Sequence, residues 1–161
     1  MEQKAIDLLK GKNLVFIATL MKDGSPQLSP VWGDYEDGFV MVNTAEGRIK
    51  HKNVLNDTRV AVSVVSNDNP LNMTTIRGTV VEILPDYDYV HINKLTKKYM
   101  GIENYPFRRE DEKRIVFKIK PDKDLKVKVD IVNNGEEKEL EVEIEFMGDE
   151  EQDEVTVQEN D

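Results

Sequence analysis

Asn43-Thr44-Ala45-Glu46-Gly47-Arg48-Ile49-Lys50-His51-Lys52-Asn53 is the stretch on which the reading of this chain turns. The apolar run at 39–43 predicts a strand, and Asn43 and Thr44 at its end are residue types that commonly make turns. Residues 47–55 then predict a helix whose apolar side is Ile49, Val54 and Leu55. Arg48 and Lys50 stand two apart at its start. Backbone N–H groups at a helix start, with two cations beside them, suit a phosphate. Just upstream, Gln27-Leu28-Ser29-Pro30-Val31-Trp32 reads as a strand with a proline in it, which removes a ladder donor and so marks an edge or a bulge. Together the two segments suggest a flat, phosphorylated cofactor lying along a small β-barrel.

Outward from this stretch the pattern is mostly short strands. Residues 2–10 predict an amphipathic helix with Ile6, Leu9 and Lys10 at helical spacing and Gly11 as its stop. Residues 13–20 predict a strand, Lys22-Asp23-Gly24-Ser25 a hairpin turn, 27–34 a second strand, and Asp37-Gly38 a second hairpin turn. Beyond the helix, 59–65 is a nearly continuous apolar run, expected to be a strand buried on both faces. Residues 72–84 predict one long strand in which Gly78 marks a bulge or a close approach. Residues 86–99 predict a helix with Tyr89, Val90, Ile92 and Leu95 as apolar contacts. An irregular charged connection at 104–112 leads to a last core strand, 114–119, ended by Pro121. Many antiparallel strands with few helices indicate a mainly β protein with flanking helices, closed or nearly closed into a barrel.

After Pro121 the composition changes. Leu125, Val127, Val129 and Ile131 alternate with Lys and Asp. Asn133-Asn134-Gly135 is a turn, and Leu140, Val142, Ile144 and Phe146 alternate with Glu. This period of two predicts a C-terminal β-hairpin. A lone hairpin is marginal in water, so one face is expected to cover something apolar. Residues 148–161 hold seven acids and no cation and read as a disordered tail. The division expected is therefore a domain at 1–120, an appended hairpin at 121–147 and a tail at 148–161.

The net charge of −10 divides unevenly. Residues 1–120 carry 18 Lys and Arg against 16 Asp and Glu, a net +2; residues 121–161 carry 4 against 16, a net −12. The body can accept an anionic ligand, whereas the C-terminal quarter repels nucleic acid and anionic membranes. The absence of cysteine excludes disulfides and thiolate chemistry. With only His51 and His91, a histidine-built metal site is not expected. No apolar run approaches a membrane span and no signal-peptide pattern opens the chain, so a cytoplasmic protein is expected.

The ordered series Ala18-Thr19-Leu20, Asp23-Gly24-Ser25-Pro26-Gln27, Ser29-Pro30-Val31-Trp32, Asn43-Thr44-Ala45-Glu46-Gly47-Arg48-Ile49-Lys50, Asn53, Arg59-Val60-Ala61-Val62 and Arg77-Gly78 resembles the FMN-binding split-barrel family related to pyridoxamine 5′-phosphate oxidase. Within it, the series looks most like the small branch that binds FMN or the deazaflavin F420. The match covers about residues 4–120, and residues 121–161 have no counterpart in it. The resemblance implies a homodimer with cofactor sites at the subunit interface and hydride transfer to a small molecule by the bound flavin or deazaflavin. By the same resemblance Arg48 and Lys50 would meet the cofactor phosphate. Backbone groups of Ser29, Pro30, Val31 and Trp32 would face the ring, and Asn43 and Thr44 would bond the ring or the ribityl chain. Residues around Met73–Arg77 of the other subunit would close the site. The C-terminal Trp/Arg pattern of the oxidase itself is missing after Pro121, where the acidic hairpin stands.

Several residues have two readings. Trp32 is either core or interface packing, or a stacking partner for the ring. Arg77 either contacts the cofactor or pairs with a carboxylate such as Asp57 or Glu82 across the dimer. Tyr99, Tyr105, Phe107 and Arg108 either lid a cleft or simply pack. His51 is expected to be a surface or capping residue. Since the sequence offers no obvious acid–base residue, two functions stay open: an oxidoreductase, and a non-catalytic flavin or haem carrier on the same fold. A third reading gives the hairpin and tail a basic partner.

Overall fold

The structure, a computed structural model, describes residues 1–122 in full and, beyond them, the backbone of two strands, Leu125–Asn133 and Glu136–Ile144. In chain order the elements are α1 (Gln3–Lys10), β1 (Leu14–Leu20), β2 (Pro26–Val31), β3 (Gly33–Glu36), β4 (Phe39–Ala45), α2 (Ile49–Val54), β5 (Arg59–Val65), β6 (Met73–Pro85), α3 (Val90–Met100), β7 (Arg114–Pro121), β8 (Leu125–Asn133) and β9 (Glu136–Ile144). The first seven strands form one antiparallel sheet in the order β2-β1-β5-β6-β7-β4-β3; β8 and β9 pair as a separate hairpin.

The strand expected over 27–34 is two strands. β2 pairs with β1 (Val15 opposite Val31) and β3 pairs with β4 (Gly33 opposite Val42), at opposite edges of the sheet. The chain passes from one edge to the other through the single residue Trp32, whose carbonyl accepts the Asn43 N–H at 3.4 Å. A sheet whose two edges are joined by one residue must curl, and this gives the split barrel. Pro30 lies in an edge strand opposite Phe16, where a missing donor costs no ladder bond.

Side-chain alternation sets the two faces. Val15, Ile17, Val40, Val42, Val60, Val62, Val64, Ile76, Val80, Ile115, Phe117 and Ile119 point inward, and Ala5, Leu8 and Leu9 of α1 join them. Each large member contributes about 1.5–3 kcal/mol by leaving water. β5 is buried on one face only, with Ala61, Ser63 and Val65 half-exposed on the other; this corrects the expectation of burial on both. Helix α3 sits beside β3 and β4, where His91 meets Asn43 and Lys98 meets Gly33, and on the side of the sheet away from this core Met41, Asn43, Ala45, Arg114 and Val116 are also buried.

The turns follow their sequences. Asp37 and Gly38 both have positive φ (49° and 91°), as a two-residue I′ hairpin requires. Three other boundaries move. Helix α2 begins at Ile49, because Gly47 takes a left-handed turn with φ 75°. β4 runs on to Ala45, so Asn43 and Thr44 are strand residues opposite Val116 and Ile115 rather than turn residues. Helix α3 starts at Val90, because Asp86 stays outside and caps it, accepting the N–H groups of His91 (2.8 Å) and Ile92 (2.9 Å). Gly11 ends α1 in an extended rather than a left-handed conformation. No helix among the described residues is long and apolar enough to cross a membrane. The side chains of the hairpin and the acidic segment 148–161 lie outside the described residues.

Gly78 sits at a close approach, and the sheet irregularity falls after it, between Val80 and Glu82. A Cβ at Gly78 would stand 2.5 Å from the Lys120 carbonyl oxygen and 2.9 Å from Ile119 Cγ2. Gly78→Ala is therefore expected to destabilise the protein by about 2 kcal/mol or more, because backbone has to move. A thermal unfolding curve unchanged from the parent would refute the close approach.

Candidate functional site

A cleft of about 330 Å³ opens where β2, β4 and the start of α2 meet. Pro30, Val31 and Trp32 form one wall, and Asn43 and Thr44 form another. Arg48, Lys50 and Arg114 supply charge, while Tyr105 and Phe107 close the side. Of the expected site residues, seven thus line one space. Ser29 and Arg77 do not. Ser29 faces inward, with its buried Oγ unpartnered. Arg77 lies on the outer face of β6, opposite Ala61 and three strands from β2. The carboxylates suggested for it are engaged within the chain: Asp57 pairs with Arg59 at 2.6 Å and Glu82 with Lys118 at 3.3 Å.

The cations differ in their surroundings. Arg48 is exposed and pairs with Glu112 at 2.7 Å. Arg114, missed by the sequence reading, is 4% exposed and pairs with the other Glu112 oxygen at 2.9 Å. Lys50 is half-buried, and no carboxylate pairs with it among the described residues. Burial, followed by the charges of Arg48 and Arg114, holds its amine below the usual lysine value. Burial would raise the Glu112 carboxyl, but hydrogen bonds from Arg114 and Arg48 outweigh it and leave the group below its ordinary value. Three cations around one carboxylate leave a surplus of positive charge facing the cleft.

Asn43 organises this cluster. Its Oδ1 accepts Arg114 Nε at 2.9 Å and also Arg114 Nη2. Its Nδ2 donates to Asp86 Oδ2 at 2.9 Å and to His91 Nδ1 at 3.1 Å. All four hydrogen-bonding positions of the amide are used. The expectation that Asn43 bonds a ligand therefore meets a side chain already committed to holding Arg114. Thr44 is different, since its Oγ1 is buried and has no partner among the described residues. A buried, unbonded hydroxyl on a cleft wall is costly unless something supplies a bond.

The aromatic residues form a stack. Trp32 lies over Tyr99 with centroids 5.3 Å apart and an interplanar angle of 12°, and Tyr105 meets Trp32 edge-on at 6.2 Å. Phe107 meets Tyr105 edge-on at 5.6 Å, and the Arg114 guanidinium lies 5.3 Å from the Tyr105 ring. Tyr99 thus packs behind Trp32, whereas Tyr105 and Phe107 face the cleft. Arg108 stacks on Tyr89 instead, at 4.4 Å. His51 caps the turn before α2, with Nδ1 accepting the Gly47 N–H at 3.0 Å. The signals for Arg114 and Glu112 were faint: two charged residues beside a core strand. Only pairing β7 with β4 puts them at the site.

A sequence profile of the pyridoxamine 5′-phosphate oxidase family matches residues 1–127, and the chain belongs to that family. Among solved structures it is similar to an F420 reductase (26% identity, TM-score 0.69), with 76% of this chain and 97% of that one covered. It also shares its fold with General Stress Protein 26 from Bacillus anthracis (21% identity, TM-score 0.55, 74% and 88% covered). The same holds for HupZ of Group A Streptococcus (18% identity, TM-score 0.51, 74% and 89% covered). No curated protein sequence matches the chain.

The buried network has a pH signature. Burial pushes His91 below the ordinary imidazole value of 6.5, against the opposing pull of Asp86, Glu36 and Asp34. As pH falls through 6.5, the unfolded chain takes up a proton that the folded chain refuses, so stability falls with pH in this window. His91→Gln keeps an acceptor for Asn43 and is expected to flatten that slope. Urea midpoints at about pH 7 and about pH 5 measure it, and equal slopes in the two proteins would exclude His91 as the cause.

Proposed function

We propose that the cleft binds the phosphate and ring of FMN, and that the protein is an oxidoreductase passing a hydride between that flavin and a small-molecule substrate. The observation that carries this reading is the half-buried Lys50, without a counter-ion among the described residues, in a cleft that also holds the Thr44 hydroxyl, unpartnered among the same residues, and is walled by Trp32 and Tyr105. Arg48 and Lys50 would hold the phosphate, with Arg114 adding charge from behind. Pro30, Val31 and Trp32 would offer backbone groups and an aromatic wall to the ring. Thr44 would donate or accept one hydrogen bond. When bound, the flavin supplies the hydride chemistry; the protein orients the ring and keeps water from it.

Charge favours FMN. Arg48, Lys50 and Arg114 with Glu112 leave about two positive charges, which match a phosphate monoester dianion. The alternative cofactor, F420, draws support from the similarity to an F420 reductase. Its longer anionic tail would call for a further cation, for which the exposed Lys52 is a candidate. A non-catalytic carrier is the second reading. Its support is that no histidine or carboxylate lines the cleft among the described residues.

Dimers are common in this family, and the outer face of β2, β1, β5 and β6 supports one here. Leu14, Leu28 and Met73 are 47%, 63% and 52% exposed there, with Phe16, Ala18, Leu20 and Val65 between them half-exposed. Arg77 lies on this face and could reach a cleft only in a second copy. An apolar patch of this extent marks an interaction surface.

Two outcomes are expected. FMN added to the purified protein should give a bound flavin absorption band, and Arg48→Ala and Lys50→Ala should each weaken binding about tenfold or more, the value of one charge-assisted hydrogen bond. Binding of F420 but not FMN would transfer the site to the deazaflavin, and binding of neither would end the cofactor reading. Leu28→Asp should convert a dimer into a monomer in sedimentation; a parent protein that already sediments as a monomer would remove the dimer.

A further inference from the structure

Among the described residues, Glu112 is the only carboxylate paired with the cleft's cations. Its two oxygens divide the work, with Oε2 taking Arg48 Nη2 at 2.7 Å and Oε1 taking Arg114 Nη1 at 2.9 Å. The two pairs are unequal. Arg114 is 4% exposed and pinned by Asn43 along its Nε–Nη2 edge, so separating it from Glu112 would bury an uncompensated charge. Arg48 is 47% exposed on a flexible stem at the cleft's mouth, where such a pair is weak and readily exchanged. Lys50, which lines the same cleft, has no such partner among the described residues.

We propose that Glu112 is a built-in competitor for the anion that binds this cleft: an incoming phosphate takes Arg48 from Glu112, while Glu112 stays with Arg114. Arg48 is then the exchanging cation, Lys50 the standing one and Arg114 the fixed anchor that keeps Glu112 in place. The exchange conserves ion pairs, so the site gains a phosphate without leaving a bare carboxylate in a half-buried position. It also sets a threshold, because every anion binds against the resident carboxylate. The inference rests on the reading that the cleft takes a phosphate.

The test compares the full-length parent with Glu112→Gln, which keeps one acceptor oxygen for the buried Arg114 and removes both the charge and the second acceptor that holds Arg48. Three probes are titrated: inorganic phosphate, FMN, and riboflavin, which has the ring without the phosphate. The expected result is binding of phosphate and FMN about fivefold tighter in the variant, with riboflavin unchanged; fivefold is the upper range for an exposed pair. Equal or weaker binding of phosphate and FMN would make Glu112 a plain support for the arginines and overturn the proposal. An equal gain for riboflavin would overturn it too, since the effect would then belong to the ring. A parent that binds no FMN, with phosphate still tightened by the variant, would sink the cofactor reading alone and uphold the role of Glu112. Thermal unfolding of both proteins verifies that the variant is folded.

Discussion

Everything in this molecule depends on the passage of the chain through Trp32. Strands β2 and β3 belong to opposite edges of one sheet and are separated by a single residue, so the sheet has no choice but to curl. Curling encloses a core of Val, Ile and Phe side chains. It also brings the β2 edge beside the end of β4, and the cleft lies between them. Lys98 and Tyr99 hold the turn from outside. Lys98 Nζ donates to the Gly33 carbonyl at 2.8 Å and also to that of Leu9, and the Tyr99 hydroxyl bonds Gly33. Burial lowers the Lys98 amine to about 8, a cost accepted to satisfy two buried carbonyls at the point where the sheet changes direction.

The cleft's electrostatics follow from one buried amide. Asn43 uses both ends of its side chain to tie β7 to α3 through Arg114, Asp86 and His91. A buried arginine is tolerated only when its donors are met, and Asn43 and Glu112 meet them. The result is a positive wall with Arg114 buried and hydrogen-bonded at the back and Arg48 exposed at the front. A site of this kind can hold an anionic group and still let it leave, because the exposed cation bears the exchange.

Much of this was legible in the residues. Alternation and turn chemistry located the strands of the sheet to within a few positions, apart from β3, because period-two burial and left-handed glycines act locally. The cation pair Arg48 and Lys50 was legible for the same reason: strand, turn and helix adjoin in sequence. Arg114, Glu112 and Asp86 were not. They join the network around Asn43 and Arg48 from β7, the segment before it and the segment before α3, and no local signal states which strands are neighbours. The break at Trp32 was hidden as well, since each half of the 27–34 run alternates well enough to pass as one strand.

By itself, the sequence determined the kind of protein: a mainly antiparallel barrel of the pyridoxamine 5′-phosphate oxidase family, with a cationic turn after its fourth strand and an acidic C-terminal quarter. The barrel, the turn and the acidic quarter are properties of composition, periodicity and short-range spacing, and the family is carried by an ordered series of motifs along the chain. Only the tertiary structure decided that Asn43 serves Arg114, that Lys50 stands without a partner among the described residues, and that Glu112 already sits among the cations. Each depends on which distant residues meet, and such meetings are fixed by sheet order and burial, since the cost of an unmet buried polar group is decided by its neighbours in space.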